Sequence, residues 1–421
     1  MSHPIEDAFA AACERYDMYG VDVEAALEAL GCVSLSLPCW QGDDGAGFET
    51  LDDPSARSGI AVSPAFPGRA RTIDELRADL QAALALIPGR HRLNLHAIYG
   101  DFGGKPVARN EILPEHYQSW VDWAAASHLG LDFNSTCFSH PMADSGFTLS
   151  SPQDQVRRFW IEHVRRCREI GAWMGRELGT PSLHNLSIPD GSKESPVTRF
   201  QHRATLRDSL DEIFATEHPA EHLKDSIESK RYGLGSESFV VGSHEFYVSW
   251  AAGKQVMPCL DMGHMHPAES VADRISTLLQ FHDRLALHLS RDVHWNSDHV
   301  VTQNDELIDA MQEIVRAGAL ARIHFALDFF DNTINRVGAW VIGARATLKA
   351  LLFALLEPLE LLGELEEAGD YFARLATIEE VKLLPFGAVW EYYCHSLDVP
   401  DGFQWLTTIR AYEDRVLRKR R

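Results

Sequence analysis

Two rhythms of apolar residues alternate along the chain. The first is short and strand-like: VSLSL (33–37), RLNLHAI (92–98), GLDFN (130–134), SLHNLSI (182–188), DSIESK (225–230), VMPCLDM (256–262), RLALHLS (284–290) and RIHFALDFF (322–330). Each run is brief and ends in polar or turn residues, as strands do. The second rhythm repeats every three to four residues over longer spans, which predicts helices. Thr72 and Glu75 make a capping box before ELRADLQAALALI, and Pro88 follows its end. Ser151 and Pro152 open a long helical stretch that Gly179 closes. Pro267 opens AESVADRISTLLQF, while Asn304 and Asp305 open ELIDAMQEIVRA, which Gly318 ends.

Strand followed by helix, repeated along the chain, predicts a parallel α/β sheet. Eight strand candidates close naturally into a (β/α)8 TIM barrel. An open doubly wound sheet is the alternative, but no G-x-G-x-x-G follows the first strand to support it. A helical segment precedes the first strand, and beyond residue 332 only helical patterns remain. The expected organisation is therefore a barrel with an N-terminal helix over residues 1–331 and a helical C-terminal extension over 332–421. That extension is amphipathic and leucine-rich, so it should wrap the barrel or a neighbouring subunit.

Composition narrows the partners. Of the 421 residues, 45% are hydrophobic and 24% charged, which fits a globular protein. The formal net charge of -22 repels phosphate backbones and argues against nucleic acid. The seven cysteines are scattered without a C-x-x-C pair, which suits a reducing, cytoplasmic setting. No apolar core of a secretory signal stands near the N-terminus. The most apolar late stretch, AWVIGARATLKALLFALLEPL, is interrupted by Arg345 and Lys349, so no membrane span is expected. The closing Arg418-Lys419-Arg420-Arg421 reads as a solvated helix end.

The polar residues carry the chemistry. At or just beyond the ends of successive strand candidates stand Trp40, His96, Asp132 with Asn134, Asn185, Glu228 with Lys230, Asp261 with His264, His288, and Asp328 with Asp331. The stretch RDVHWNSDHVV (291–301) adds His294, Asn296, Asp298 and His299. A barrel gathers its strand C-termini at one mouth, so these separate clusters would form one site. Glu228, Asp261, Asp298 and Asp328 offer hard oxygen ligands, and His264 and His288 offer nitrogen. Such mixed sets suit Mn²⁺, Mg²⁺, Co²⁺ or Zn²⁺. Four carboxylates exceed what one divalent ion needs for charge balance, which points to two ions.

Longer motifs point further. CWQGDD (39–44), LNLHAIY (93–99), LDFNSTCFSHP (131–141), IPDG (188–191), IESK (227–230), LDMGHMHP (260–267), SDHVV (297–301), LDFFD (327–331) and AWVIG (339–343) together resemble the L-rhamnose isomerase family. The resemblance covers essentially the whole chain. It implies a TIM barrel with a helical C-terminal extension, usually a homotetramer, that interconverts an aldose and a ketose with two divalent cations, Mn²⁺ foremost. Carried over residue by residue, Glu228, Asp261, His288 and Asp328 match the tightly held metal site. His264, Asp298 and position 296 match the second, catalytic one. His96 and Lys230 match sugar-contacting residues, and Trp40 matches an aromatic wall of the pocket. The implied route is a metal-assisted hydride shift between C1 and C2, with Asp328 or a water moving the hydroxyl proton. A cis-enediol route is the alternative.

Three positions depart from the family pattern. Asn296 stands in WNSD where the family carries W-D-S-D, which removes one negative charge from the second metal site. Ser187 stands where a tryptophan usually lines the sugar pocket. The loop after the first strand, GDDGAGFETLDDPSARSGIAV, carries Gly45 and Ala56 where apolar side chains would cover the substrate's methyl end. A roomier, less apolar pocket would admit L-mannose or L-lyxose beside L-rhamnose. A second reading is a catalytically weakened homologue that binds sugar or serves as a structural subunit. A third, a metal-dependent phosphoesterase on the same barrel, is opposed by the acidic charge.

Overall fold

The computed structural model describes residues 4–49, 65–230, 239–265, 269–293 and 296–420, with the side chains of 292–297 outside that description. Eight parallel strands form a closed barrel: β1 (Leu35–Pro38), β2 (Arg92–His96), β3 (Gly130–Asn134), β4 (Ser182–Ser187), β5 (Leu223–Glu228), β6 (Val256–Asp261), β7 (Leu285–Leu289) and β8 (Ile323–Leu327). They run in sequential order around the ring, and β8 pairs with β1 to close it. Every strand candidate read from the sequence is a barrel strand, shifted by at most three residues at an end.

Side-chain alternation explains why these segments are strands. Leu35 and Leu37, Leu93 and Leu95, Leu131 and Phe133, Leu285, Leu287 and Leu289, and Phe325 and Leu327 are buried in the main apolar core. Their alternates share the opposite face and fill the barrel. In β5 these are Lys224, Ser226 and Glu228; in β2 they are Arg92, Asn94 and His96; in β8 they are His324, Ala326 and Asp328. The filling is mostly polar, interrupted by a small separate cluster of Leu183, Met257, Cys259 and Ala286.

Helices follow the strands one for one: α3 (Ile73–Leu84), α4 (Gln118–Ala126), α5 (Asp154–Leu178), α6 (Arg199–Phe214), α7 (His244–Ala251), α8 (Ala272–Leu278), α9 (Asp305–Arg316) and α10 (Arg336–Leu355). Two helices, α1 (Pro4–Asp17) and α2 (Val23–Gly31), precede the barrel. The caps are those the sequence predicts. Thr72 accepts from the Glu75 amide, Asn304 accepts from the Leu307 amide, and Gly179 ends α5 at φ +65°. The capping box is offset by one residue, because Glu75 reaches the Arg71 amide instead of that of Thr72.

Several expectations need correction. Helix α8 starts at Ala272, later than the Pro267 start expected, and Pro267 itself lies outside the described residues. The segments Arg291–Val293 and Asn296–His299, for which the sequence predicts no strand, pair as an antiparallel hairpin. Helix α10 is long and apolar enough to cross a membrane, yet 83% of its most apolar window is buried inside the fold. It packs on α9, α3 and α2, which makes it the barrel's own eighth helix. Arg345, read as an interruption, is buried and donates to the carbonyls of Leu86 and Pro400. The residues after Leu355 form the rest of the expected extension. They comprise α11 (Leu359–Glu367), α12 (Tyr371–Val381), α13 (Phe386–Ser396) and α14 (Gln404–Arg415). The basic C-terminus is not simply solvated, because Arg420 docks on the buried carboxylate of Asp79.

Candidate metal centre

The inward alternates of β5 to β8 end at the C-terminal mouth of the barrel. Glu228 and Asp261 are the last residues of β5 and β6, His288 is the penultimate residue of β7, and Asp328 directly follows β8. Strand pairing sets Asp261 level with His288 and His288 level with Ala326. As a result one ligand atom from each of Glu228, Asp261, His288 and Asp328 lies within 4.8 Å of the others. His288 Nδ1 is 3.1 Å from Asp328 Oδ2 and 3.5 Å from Glu228 Oε2. His264, in the turn after β6, brings its Nδ1 to 3.1 Å from Glu228 Oε1 and 3.3 Å from Asp261 Oδ2. Lys230 Nζ is 3.2 Å from Glu228 Oε1.

These groups are poorly satisfied by one another. Glu228 Oε1, His264 Nδ1 and His288 Nε2 are buried without a well-aligned hydrogen bond, despite the short contacts. Burial raises Asp261 to about 6, reinforced by Asp328 and Glu228 and opposed by His264. Burial also works against the Glu228 carboxylate, but Lys230, His264 and His288 outweigh it and hold the group well below the usual range. Both imidazoles are pushed down by burial and pulled above their ordinary value by their neighbours, Asp261 foremost for His264, and Cys259, then Asp328 and Glu228, for His288. Lys230 is likewise held above its ordinary value, by Glu228, Asp328, Asp261 and Asp298, against its burial. Such a group of carboxylates drawing protons onto its histidines is the donor set a divalent cation would relieve, releasing those protons.

Neighbouring side chains aim the donors. Asn185 Nδ2 donates to Glu228 Oε2 at 2.7 Å, and its own oxygen accepts from Ser226 Oγ at 2.8 Å. Asp261 Oδ1 accepts from the Gly263 amide and from Ser290 Oγ, which leaves Oδ2 turned toward the histidines. Aromatic rings flank His96. Trp40 meets His96 edge-to-face with ring centroids 4.8 Å apart, and Phe138 meets His96 at 5.6 Å. Burial pushes His96 down to about 4, so the ring is neutral at pH 7, with Nδ1 3.2 Å from Thr136 Oγ1.

The remaining expected residues divide. Ser187 ends β4 level with Glu228, and its buried Oγ has no hydrogen-bond partner among the described residues. Asp298 is half-buried and helps raise Lys230. The backbone of Asn296 belongs to the hairpin, but its side chain, like His294 and Ala56, lies outside the described residues. Asp132 is not at the mouth. It sits in the lower barrel, where Arg92, Ser36 Oγ and the Leu183 amide take up its oxygens. Sequence reading also missed Cys259, which groups with Glu228 and His288 just beneath the cluster. Its spacing two residues before Asp261 was the available signal.

Comparison with known proteins bears on this geometry. The family model described as L-rhamnose isomerase (RhaA) matches residues 3–420. An L-rhamnose isomerase of Rhodopirellula baltica is 53% identical over 416 residues, covering 99% of this chain and 97% of its own. One of Pectobacterium carotovorum is 54% identical over 420 residues, and one of Klebsiella pneumoniae 51% over 421, each covering both chains completely. Identity of this depth over the full length leaves one assignment: the chain belongs to the L-rhamnose isomerase family of metal-dependent aldose–ketose isomerases.

Proposed function

We propose that the mouth cluster holds two divalent cations, Mn²⁺ foremost, and that the enzyme interconverts L-rhamnose and L-rhamnulose. In this reading Glu228, Asp261, His288 and Asp328 hold the first ion, and His264 and Asp298 with position 296 hold the second. The observation that carries the reading is the convergence of four ligand atoms within 4.8 Å, three of the residues being carboxylates with no arginine among them. Bound cations would polarise the sugar's C1 and C2 oxygens. The chain's own residues do the rest. Lys230 presents a fixed positive charge to a sugar oxygen, and neutral His96 offers a hydrogen bond from the aromatic wall. Trp40 and Phe138 screen the reacting carbons from water. Asp328, the most accessible of the cluster's three carboxylates, accepts and returns the hydroxyl proton.

Ser187 in the place of a wall residue widens the sugar pocket, so L-mannose and L-lyxose are further substrates. The catalytic apparatus at Glu228, Lys230, Asp261 and Asp328 disfavours the reading as an inactive homologue. We also propose a homotetramer in the cytoplasm. Support comes from the extension, where Tyr371, Phe372, Leu375 and Leu383 expose between 60% and 84% of their surface. Turnover of an aldose panel by protein reconstituted with Mn²⁺, Co²⁺, Mg²⁺ or Zn²⁺, with light scattering alongside, tests all of this. Absence of metal-dependent ketose formation from every aldose would overturn the assignment.

A further inference from the structure

The other end of the barrel holds a second cavity, of about 360 Å³. Its lining includes Arg92, Asp132, Lys224 and His324, the first or second inward alternates of β2, β3, β5 and β8. Lys224 precedes Glu228 by four residues, and His324 precedes Asp328 by the same interval. At about 3.3 Å per residue, each pair is separated by roughly 13 Å along its strand. The lower cavity is thus distinct from the metal cluster.

Its polar groups are unequally used. Arg92 and Asp132 saturate each other: the guanidinium gives two nitrogens to the carboxylate, and Ser36 and the Leu183 amide complete the set. Arg92 spends its other hydrogens on Thr180 and on the carbonyls of Leu131 and Pro181. Lys224 and His324 have no such partners. His324 Nε2 is buried without a hydrogen bond to any described residue. The Lys224 ammonium makes no hydrogen bond or ion pair with a described residue; burial, Arg284 and Arg92 act against its charge, and Asp132 favours it. Arg284 binds the carbonyl of Ala321, another lining residue, and so stands at the cavity's edge. In a chain of net charge -22 this is a cationic hollow with spare donors.

We propose that this cavity binds a small oxyanion, the phosphate or carboxylate group of a metabolite, between Lys224 and His324. The volume falls in the range of small-molecule pockets and exceeds what a bare phosphate fills. An ammonium and an imidazole N–H are complementary to an oxyanion. Asp132, which also acts on Lys224 and His324, is paired with Arg92, and that pairing offsets its repulsion of the ligand. Burial, with help from Lys224, pushes His324 down to about 4, and a bound anion would reverse that cost.

The test is calorimetric titration of the Mn²⁺-loaded protein with inorganic phosphate, glycerol 3-phosphate and succinate in turn. The expected result is one saturable site for at least one probe, weakened about tenfold or more in Lys224→Met and in His324→Leu. Sugar isomerase turnover should stay unchanged in both variants. The tightest probe distinguishes free phosphate, a phosphorylated metabolite and a carboxylate. If either variant fails to fold, Lys224→Gln and His324→Gln carry the same comparison. The proposal is overturned if no probe saturates below about 10 mM, or if probes bind equally well to the wild type and the variants.

Discussion

Two sets of buried carboxylates occupy this barrel, and they are built on opposite terms. Asp132 and Asp225 each lie against an arginine. Arg92 grips Asp132, while Arg168 donates to both oxygens of Asp225, which His184 also contacts at 3.0 Å. Burial opposes ionisation in both, yet the arginines and other donors outweigh it and hold both below the usual carboxylate range. At the mouth, Glu228, Asp261 and Asp328 share one lysine and two histidines, and buried polar atoms remain unsatisfied. The lesson is about charge supply. Asp132 and Asp225 each come with an arginine of their own, whereas the three mouth carboxylates share one lysine and rely on histidines that must carry protons to balance them.

The sharpest way to break this contrast is to neutralise one member of each set. Glu228→Gln should lower isomerase turnover by about a hundredfold or more, because it removes a proposed ligand. It should cost less stability than the loss of an arginine, because Lys230 and the histidines that hold Glu228 ionised keep Asp261 and Asp328 as partners. Arg92→Met should do the reverse. It strands a buried charge, for a destabilisation of about 3–5 kcal/mol, and leaves metal affinity intact. Turnover and thermal denaturation of both variants provide the check. If Glu228→Gln destabilises as strongly as Arg92→Met, the two sets are not different in kind.

Asn185 sharpens the comparison from the second layer. It fixes one Glu228 oxygen and leaves the other facing the cluster. Asn185→Ala should weaken Mn²⁺ binding about tenfold or more, with little change in stability. Calorimetric metal titration would read it, and unchanged affinity would show that Glu228 needs no aiming.

The sequence makes one half of this contrast easier to read than the other. Strand positions are legible because the outward alternates, such as Leu93 and Leu95 or Leu285, Leu287 and Leu289, are apolar and bounded by turn residues. The inward alternates are legible in direction but not in depth. Asp132 and Asn134 share a face, yet Asp132 lies low in the barrel, and nothing local to GLDFN marks that Arg92 waits there. Helix α10 follows the last strand and is apolar on nearly every side, so its sequence carries no stripe that ties it to the barrel rather than to the helices after it. Arg420 looked solvated because its partner, Asp79, is 341 residues away in sequence.

Position 296 offers a gentler test of the charge argument. With a neutral amide there, the proposed second site owns a single carboxylate, Asp298. Asn296→Asp should tighten the weaker of two Mn²⁺ ions about tenfold and raise turnover at low metal. Titration calorimetry beside the isomerase assay reads both. Two ions bound with equal strength in both forms would remove 296 from the ligand set.

The smallest effect concerns a carboxylate between the two extremes. Asp43, in the loop after β1, is buried and accepts from Tyr99 Oη at 2.6 Å, from the Gly47 amide at 2.8 Å and from the Gly45 amide at 3.2 Å. It has three neutral donors and no arginine; the neighbouring Asp44 has Arg336 instead. Burial raises Asp43 to about 7, and the neutral donors only partly oppose it. Because this value lies above the ordinary carboxylate value of 3.8, the folded protein holds the proton more tightly than the unfolded chain. Its contribution to stability is therefore full below about pH 4 and is lost as pH rises through about 7. Asp43→Asn cannot ionise. It loses an acceptor at every pH, a constant penalty, but it escapes the pH-dependent one. The melting temperature of the variant relative to wild type should rise by a few degrees between pH 5 and pH 8. A difference that stays flat over that range would mean neutral donors suffice to hold a buried charge, and the distinction drawn between arginine-paired and unpaired carboxylates would lose its middle term.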